Sequence, residues 1–285
     1  MSSDSVLEIQ LSAEASVTAR LYTAKNADGV PVLICPAMGV RAQFYDGVAS
    51  ELAKLGHTVL VADLRGIGGS NLRAREGADF GYADIIGTDL PALVAVLTER
   101  VGRRPILFGH SLGGQLGCVY AGQAPDSVAG IALIASCSVY FRNWPRRAQP
   151  GLWAFYHFAK ATAARLGYWP GPRFRFGGYE ARTLVADWAR QGLTGRYDLA
   201  SIPNAEAAMA RVQHPILAIN LSDDRWAPTR ATEHLLSKLR SAPVTRRTLQ
   251  PAELKLDVVK HFGWRKRPEA IAEIVHRWAQ EAGLR

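Results

Sequence analysis

The sequence predicts an α/β protein: a mostly parallel eight-stranded sheet with helices on both faces and an inserted helical segment. Three observations carry this. Short β-branched apolar runs alternate with amphipathic stretches, the pattern of strands buried on both faces and joined by crossover helices. One such run, residues 105–109, leads directly into Gly109-His110-Ser111-Leu112-Gly113 and then into a small-residue helical pattern. A long aromatic-rich stretch, residues 139–212, interrupts the alternation.

The elements follow in order. Residues 6–12 and 17–23 read as an antiparallel hairpin. Residues 32–35 are a buried strand, 43–55 an amphipathic helix and 58–62 the next buried strand. Residues 82–100 read as a helix bent at Pro91, which has no N–H to give to the preceding turn. Residues 106–108 form the strand that enters the Gly109–Gly113 turn. Residues 128–135, 216–221 and 244–249 are three more strands. Residues 228–239 and 268–282 are helices with proline in the first turn, where its missing N–H costs nothing.

The interrupted stretch has no clear buried strand, yet holds Trp144, Trp153, Tyr156, Trp169, Phe176 and Trp188. An irregular loop of this length is uncommon, so we read residues 139–212 as a helical lid. Residues 1–138 and 213–285 are then the first and second parts of the core. Gly177-Gly178 and Pro170-Gly171 are candidate hinges.

Composition bounds the functional classes. The 285 residues are 48% hydrophobic and 21% charged, ordinary for a globular protein. Cys35, Cys118 and Cys137 form no C-x-x-C and lie in or beside apolar runs, which points to reduced thiols and a cytoplasmic protein. The N-terminus shows no signal-peptide pattern, and no apolar run is long enough to span a membrane. The net charge is +9, and residues 139–212 hold eleven Lys/Arg against four Asp/Glu. Arg142, Arg146, Arg147, Arg173 and Arg175 cluster there. A solvated basic face is the simpler reading than attraction of an anionic substrate or a membrane surface. No recognition motif for nucleic acid accompanies the charge. Oligomeric state is not legible.

The chemistry starts at Ser111. Strand, G-x-S-x-G and helix together make a nucleophile elbow, a sharp turn that lifts a serine hydroxyl to the top of the sheet. Glycines at 109 and 113 remove Cβ atoms that would collide in that turn. An acid is expected just after a later strand, because sites in such sheets lie at the strands' carboxyl ends. Residues 216–221 end in Ser222-Asp223-Asp224. We favour Asp224, four residues before Pro228, over Asp223 as the acid, and expect one of the two to cap the following helix. Six histidines fall at the wrong end of the sheet, in the lid, on helices or beside the elbow pointing elsewhere. His261 remains, in a loop before the last helix. It completes the order Ser, Asp, His.

The chain resembles the α/β-hydrolase superfamily from about residue 15 to residue 280. The matching segments are Cys35-Pro-Ala-Met-Gly39, Ala62-Asp-Leu-Arg-Gly-Ile-Gly-Gly-Ser70, Gly109-His-Ser-Leu-Gly-Gly114, Asp223-Asp224 with Pro228, and His261-Phe262-Gly263. It is similar to a group of uncharacterised bacterial members with a PAMG turn, a GHSLGGQ elbow and an HFGW segment. The resemblance implies a serine hydrolase for a small-molecule ester or thioester, with no metal or organic cofactor. The oxyanion donors would be the backbone N–H of Leu112, directly after the nucleophile, and that of Met38, by position in the family turn. An acyltransferase with the same triad is the alternative; a non-catalytic binding protein is a third. The chain departs from many relatives at Pro36-Ala37-Met38 and at Ile67, the latter read as structural. Gly66-Ile-Gly-Gly69 lacks dinucleotide-loop spacing.

Overall fold

A computed structural model of the chain describes residues 3–284. The hairpin is β1 (Ser3–Gln10) and β2 (Ser16–Thr23), followed by β3 (Val32–Cys35), β4 (Val59–Ala62), β5 (Ile106–His110) and β6 (Gly130–Ile134). A separate antiparallel ribbon, β7 (Tyr168–Pro170) and β8 (Tyr179–Ala181), stands outside the main sheet. The main sheet is completed by β9 (Ile216–Leu221) and β10 (Val244–Leu249). Its order is β1-β2-β4-β3-β5-β6-β9-β10. β1 and β2 are antiparallel to each other, β2 is antiparallel to β4, and the remaining neighbours are parallel.

Every residue of β3, β4, β5, β6 and β9 is buried, as their largely apolar runs require, with His110 in β5 and Asn220 in β9 the polar exceptions. Successive side chains feed opposite cores. Leu60 joins one, while Val59 and Val61 join the other. β10 is an edge strand and mostly exposed; Arg246 and Arg247 on it discourage pairing with another chain.

The helices are α1 (Asp46–Lys54), α2 (Tyr82–Asp84), α3 (Leu90–Val101), α4 (Leu112–Gln123), α5 (Gln149–Leu166), α6 (Gly171–Phe174), α7 (Arg182–Thr194), α8 (Ala205–Met209), α9 (Thr229–Leu236) and α10 (Pro268–Glu281). Between α2 and α3 the chain makes a π-helical segment, Ile85–Asp89. The wide turn ends just before Pro91, which cannot supply the next i→i−4 donor. One core lies under α3 and α4, through Leu93, Leu97, Leu116 and Val119. The other lies under α1 and α10, through Val48, Leu52, Ile271 and Val275.

The stretch between β6 and β9 is helical in α5 and α7, which enclose a small core of Ala159, Ala163, Trp169 and Val185. The β7–β8 ribbon within it is not in the sequence-based reading. Its strands are three residues each, too short to show alternation. The end of the stretch returns to the main body. A Cβ on Gly122 of α4 would come within 2.7 Å of the Met209 nitrogen, so α8 packs backbone to backbone on α4.

Candidate active site

The turn after β5 is as tight as its glycines require. A Cβ on Gly109 would lie 2.3 Å from the Gly114 Cα, and one on Gly113 would lie 2.0 Å from the Cys35 carbonyl oxygen. Ser111 itself sits at φ 53°, ψ −116°. A non-glycine residue in that region carries strain of about 1–3 kcal/mol and is held there by its surroundings. β5 lies inside the sheet between β3 and β6, so Ser111 emerges near the middle of its carboxyl edge.

The loop after β9 carries Asp223 and Asp224. Asp224 is buried. Its Oδ2 accepts a hydrogen bond from His261 Nδ1–H at 2.7 Å. Its Oδ1 accepts from the N–H groups of Trp226, at 2.8 Å, and Ala227, at 3.1 Å. With Nδ1 donating to the carboxylate, Nε2 is the lone-pair nitrogen of neutral His261. Asp223 does something else: its Oδ2 accepts from Val259 N–H at 2.9 Å and so ties down the loop that carries His261.

Ser111 and His261 line one cavity of about 480 Å³. Met38 and Leu112 line it too. Among the described residues no acceptor stands on the N–H of either, whereas the neighbouring Ala37 N–H is taken by Tyr45 Oη at 2.8 Å. The rest of the wall is mainly apolar, with Leu152, Phe155, Tyr156, Phe176 and Trp188 from the α5–α7 stretch. Trp144 contributes and donates its indole N–H to the Arg225 carbonyl at 3.0 Å. Trp153 lies outside the cavity, 48% exposed and packed on His157. Apart from His261, the charged or ionisable-base side chains on the wall are Arg175 and Arg225, with no carboxylate among the lining residues.

Trp226 and Phe262 are wall residues given no role in the sequence analysis. Trp226 follows Asp224 by two positions, and its ring lies 5.4 Å from that of His261. Phe262, 4.8 Å from His261, packs edge-on to it. Their adjacency to Asp224 and His261 was the available signal.

The segment from Asp63 to Ser70 is scaffold. Asp63 accepts from Ala42 N–H at 2.7 Å and from Gly69 N–H at 2.8 Å. Gly66 and Gly68 have φ of 84° and 54°. Arg65 forms a buried pair with Asp89, Nε to Oδ2 at 3.0 Å. Ile67 is buried and packs toward Gly178. The three cysteines are free and buried, and burial pushes the Cys35 thiol up to about 12.

His110 is fully buried directly behind the elbow. Its Nδ1 pairs with Tyr45 Oη at 2.9 Å and its Nε2 with the His261 carbonyl at 3.2 Å. Burial first, and the neighbouring His261 second, hold its pKa well below the ordinary histidine value. His57 and His276 pair with each other at 2.9 Å away from this cavity.

Comparison with known proteins agrees with this architecture. A protein of Variovorax paradoxus (strain S110) assigned as the carbamate hydrolase RutD is 34% identical over 112 residues, 39% of this chain and 40% of that one. The match thus spans well under half of the relative's length. A monoacylglycerol lipase of Paleococcus ferrophilus has a TM-score of 0.63 at 16% identity, covering 93% of this chain and 99% of that one. A structure from a study of carboxylesterases of Nitrososphaera gargenis has a TM-score of 0.62 at 20% identity, covering 98% and 99%. The haloalkane dehalogenase DbeA of Bradyrhizobium elkani USDA94 reaches 0.65 at 16%, covering 99% of both. At such identities these likenesses show the fold alone. The family described as the alpha/beta hydrolase fold matches residues 30–241, and the chain belongs to it.

Proposed function

We propose that the protein is a serine hydrolase that cleaves an ester or thioester through an acyl-enzyme on Ser111. The observation that carries this reading is the 2.7 Å bond between His261 Nδ1 and Asp224, behind a cavity that His261 shares with Ser111 on its strained elbow. In this mechanism His261 Nε2 takes the Ser111 proton as Oγ attacks the carbonyl carbon. Asp224 keeps the imidazole in the tautomer that can accept and stabilises the imidazolium that forms. The N–H groups of Met38 and Leu112 receive the developing oxyanion. Collapse of the tetrahedral species breaks the bond to the leaving group, which takes the proton from His261. Water then attacks the acyl-enzyme, gives its proton to His261, and releases the acid and the free serine.

Residues 139–212 act here as a lid whose aromatic side chains wall the acyl pocket. Flat, rigid rings bury acyl carbons with little loss of side-chain freedom. Three buried free thiols support a reducing compartment, the cytoplasm. Carbamates are the second substrate class to try, on the strength of the partial match to RutD. Acyl transfer would use the same residues and is separated by adding an alcohol or amine acceptor and analysing the product.

The test is labelling with a fluorophosphonate, followed by mass mapping and a panel of esters graded in acyl length. The adduct is expected on Ser111. An adduct on Ser138 or Ser222, or none on folded protein, would overturn the reading.

A further inference from the structure

We propose that Tyr45 and His110 form a buried strut of positioning residues that holds the oxyanion turn, the nucleophile and the base in register. The inference rests on the reading of Ser111 and His261 given above.

The hydrogen-bond directions are forced. A carbonyl oxygen can only accept, so His110 Nε2 carries the proton toward the His261 carbonyl. Burial keeps the ring neutral, so Nδ1 is an acceptor. Tyr45 Oη–H must then donate to Nδ1. Its oxygen lone pair in turn accepts from Ala37 N–H. The result is one directed chain, from Ala37 through Tyr45 and His110 to His261.

Each end of that chain is next to a reacting group. Ala37 precedes Met38, His110 precedes Ser111, and the last acceptor belongs to His261 itself. The anchored segments follow β3, end β5 and precede α10, so they are remote in sequence and one hydrogen-bond chain ties all three together. Tyr45 and His110 are both fully buried. Phe262 and Trp264 each stand 5.4 Å from the His110 ring, and Phe44 stacks on it at 5.9 Å. In such dry surroundings a satisfied polar chain is rigid, and an apolar core would be cheaper to build. A phenylalanine pair would fill the volume; it would not fix the backbone at Ala37 and His261. Site geometry has to hold to about half an ångström, and a displacement of about 1 Å can lower turnover by about a hundredfold.

The experiment compares Tyr45→Phe, His110→Phe and the double variant with the parent. It measures kcat, KM and thermal midpoint on the best ester of the panel, with Ser111→Ala as the control. The expected result for Tyr45→Phe is a loss of about tenfold or more in kcat, KM within about twofold, and a native fold. The double variant is expected to lose no more than His110→Phe alone, because either change breaks one chain. Full kcat in folded Tyr45→Phe would overturn the strut. So would a loss confined to KM, or a loss that disappears when the assay is run well below the variant's unfolding transition. If a variant does not fold, nitrogen NMR of the parent decides: His110 must show a protonated Nε2 and a lone-pair Nδ1 without titrating between pH 5 and 9. Any other tautomer, or a titration, would overturn it. Retained turnover in Ser111→Ala would instead sink the serine-hydrolase reading and leave the hydrogen-bond chain standing.

Discussion

Ser111 adopts a backbone conformation that serine does not choose on its own, and the glycines around it have no room for a Cβ. Removing only the hydroxyl leaves that geometry alone. Ser111→Ala should therefore keep its thermal midpoint and lose about three or more orders of magnitude in kcat. The two aspartates separate more sharply. Asp224→Asn replaces the acceptor of His261 Nδ1–H with a group that can donate, favouring the wrong tautomer, and should lower kcat by up to about 10⁴-fold. Asp223→Asn retains an oxygen for Val259 N–H and should cost less than about tenfold, because that bond only tethers the loop. Steady-state kinetics on the two variants decides; a larger loss at 223 would reverse the roles. The elbow motif, the strand end with its spacing to Pro228, and elimination among the histidines point to Ser111, Asp224 and His261, and the fold brings Ser111 and His261 to one cavity with Asp224 behind the histidine. The Tyr45–His110 link was not legible. The sequence places His110 beside the elbow and pointing elsewhere, as it does, but one of its two partners is a backbone carbonyl 151 residues away, and no spacing rule reports such a bond.

At the scale of elements, α4 shows how one helix uses glycine in two different ways. At Gly113 an added Cβ would sit 2.0 Å from the Cys35 carbonyl, so Gly113→Ala must push α4 away from β3. A loss of roughly 3 kcal/mol or more, or failure to fold, is expected in thermal unfolding. At Gly117 the same atom would meet Leu107 at 3.6 Å, an ordinary contact. Gly117→Ala should be neutral or stabilise by up to about 1 kcal/mol, since alanine loses less freedom in a helix. The α5–α7 stretch gives a second contrast. Trp188→Ala removes a ring packed 4.8 Å from Tyr156 and opens the cavity wall. It should lower stability by about 3–5 kcal/mol and shift ester preference toward longer acyl chains. Trp153→Ala, on the exposed side of α5, should change neither. Unchanged selectivity in folded Trp188→Ala would leave that ring as packing. The sequence distinguished this stretch from the sheet by its lack of buried β-branched runs. It did not reveal which aromatics face the cavity, because rings occur all around α5.

For the whole molecule, buried ionisable groups set opposing pH dependences of stability. The core strands were legible because burial on both faces writes itself as continuous apolar sequence; the order in which they lie was not, since it depends on crossovers. Nor was Glu180, a buried carboxylate on the three-residue strand β8 whose one hydrogen-bond partner among the described residues is Gly178 N–H, at 2.7 Å. Burial raises its pKa to about 7, against the opposing pull of that N–H. A folded value above the unfolded one means stability that is complete below about pH 4.5 and is lost as pH rises through about 7. His57, His110 and His234 are shifted the other way, each chiefly by burial. Their folded values lie below the unfolded one, so their contribution is present above about pH 6.5 and is lost on acidification. The two trends cross in the weakly acidic range and flatten the stability profile there. Glu180→Gln keeps an acceptor for Gly178 and removes the alkaline loss. The variant should exceed the parent in thermal midpoint at pH 8, by an amount reflecting up to roughly 3 kcal/mol, and the gap should close toward pH 5. The consequence reaches the site, because a Cβ on Gly39, next to Met38, would come within 2.2 Å of the Gly178 nitrogen. The ribbon that Glu180 secures is thus the surface against which the Met38 turn rests. A gap between variant and parent that stays constant from pH 5 to pH 8.5 would show that Glu180 does not titrate in this range.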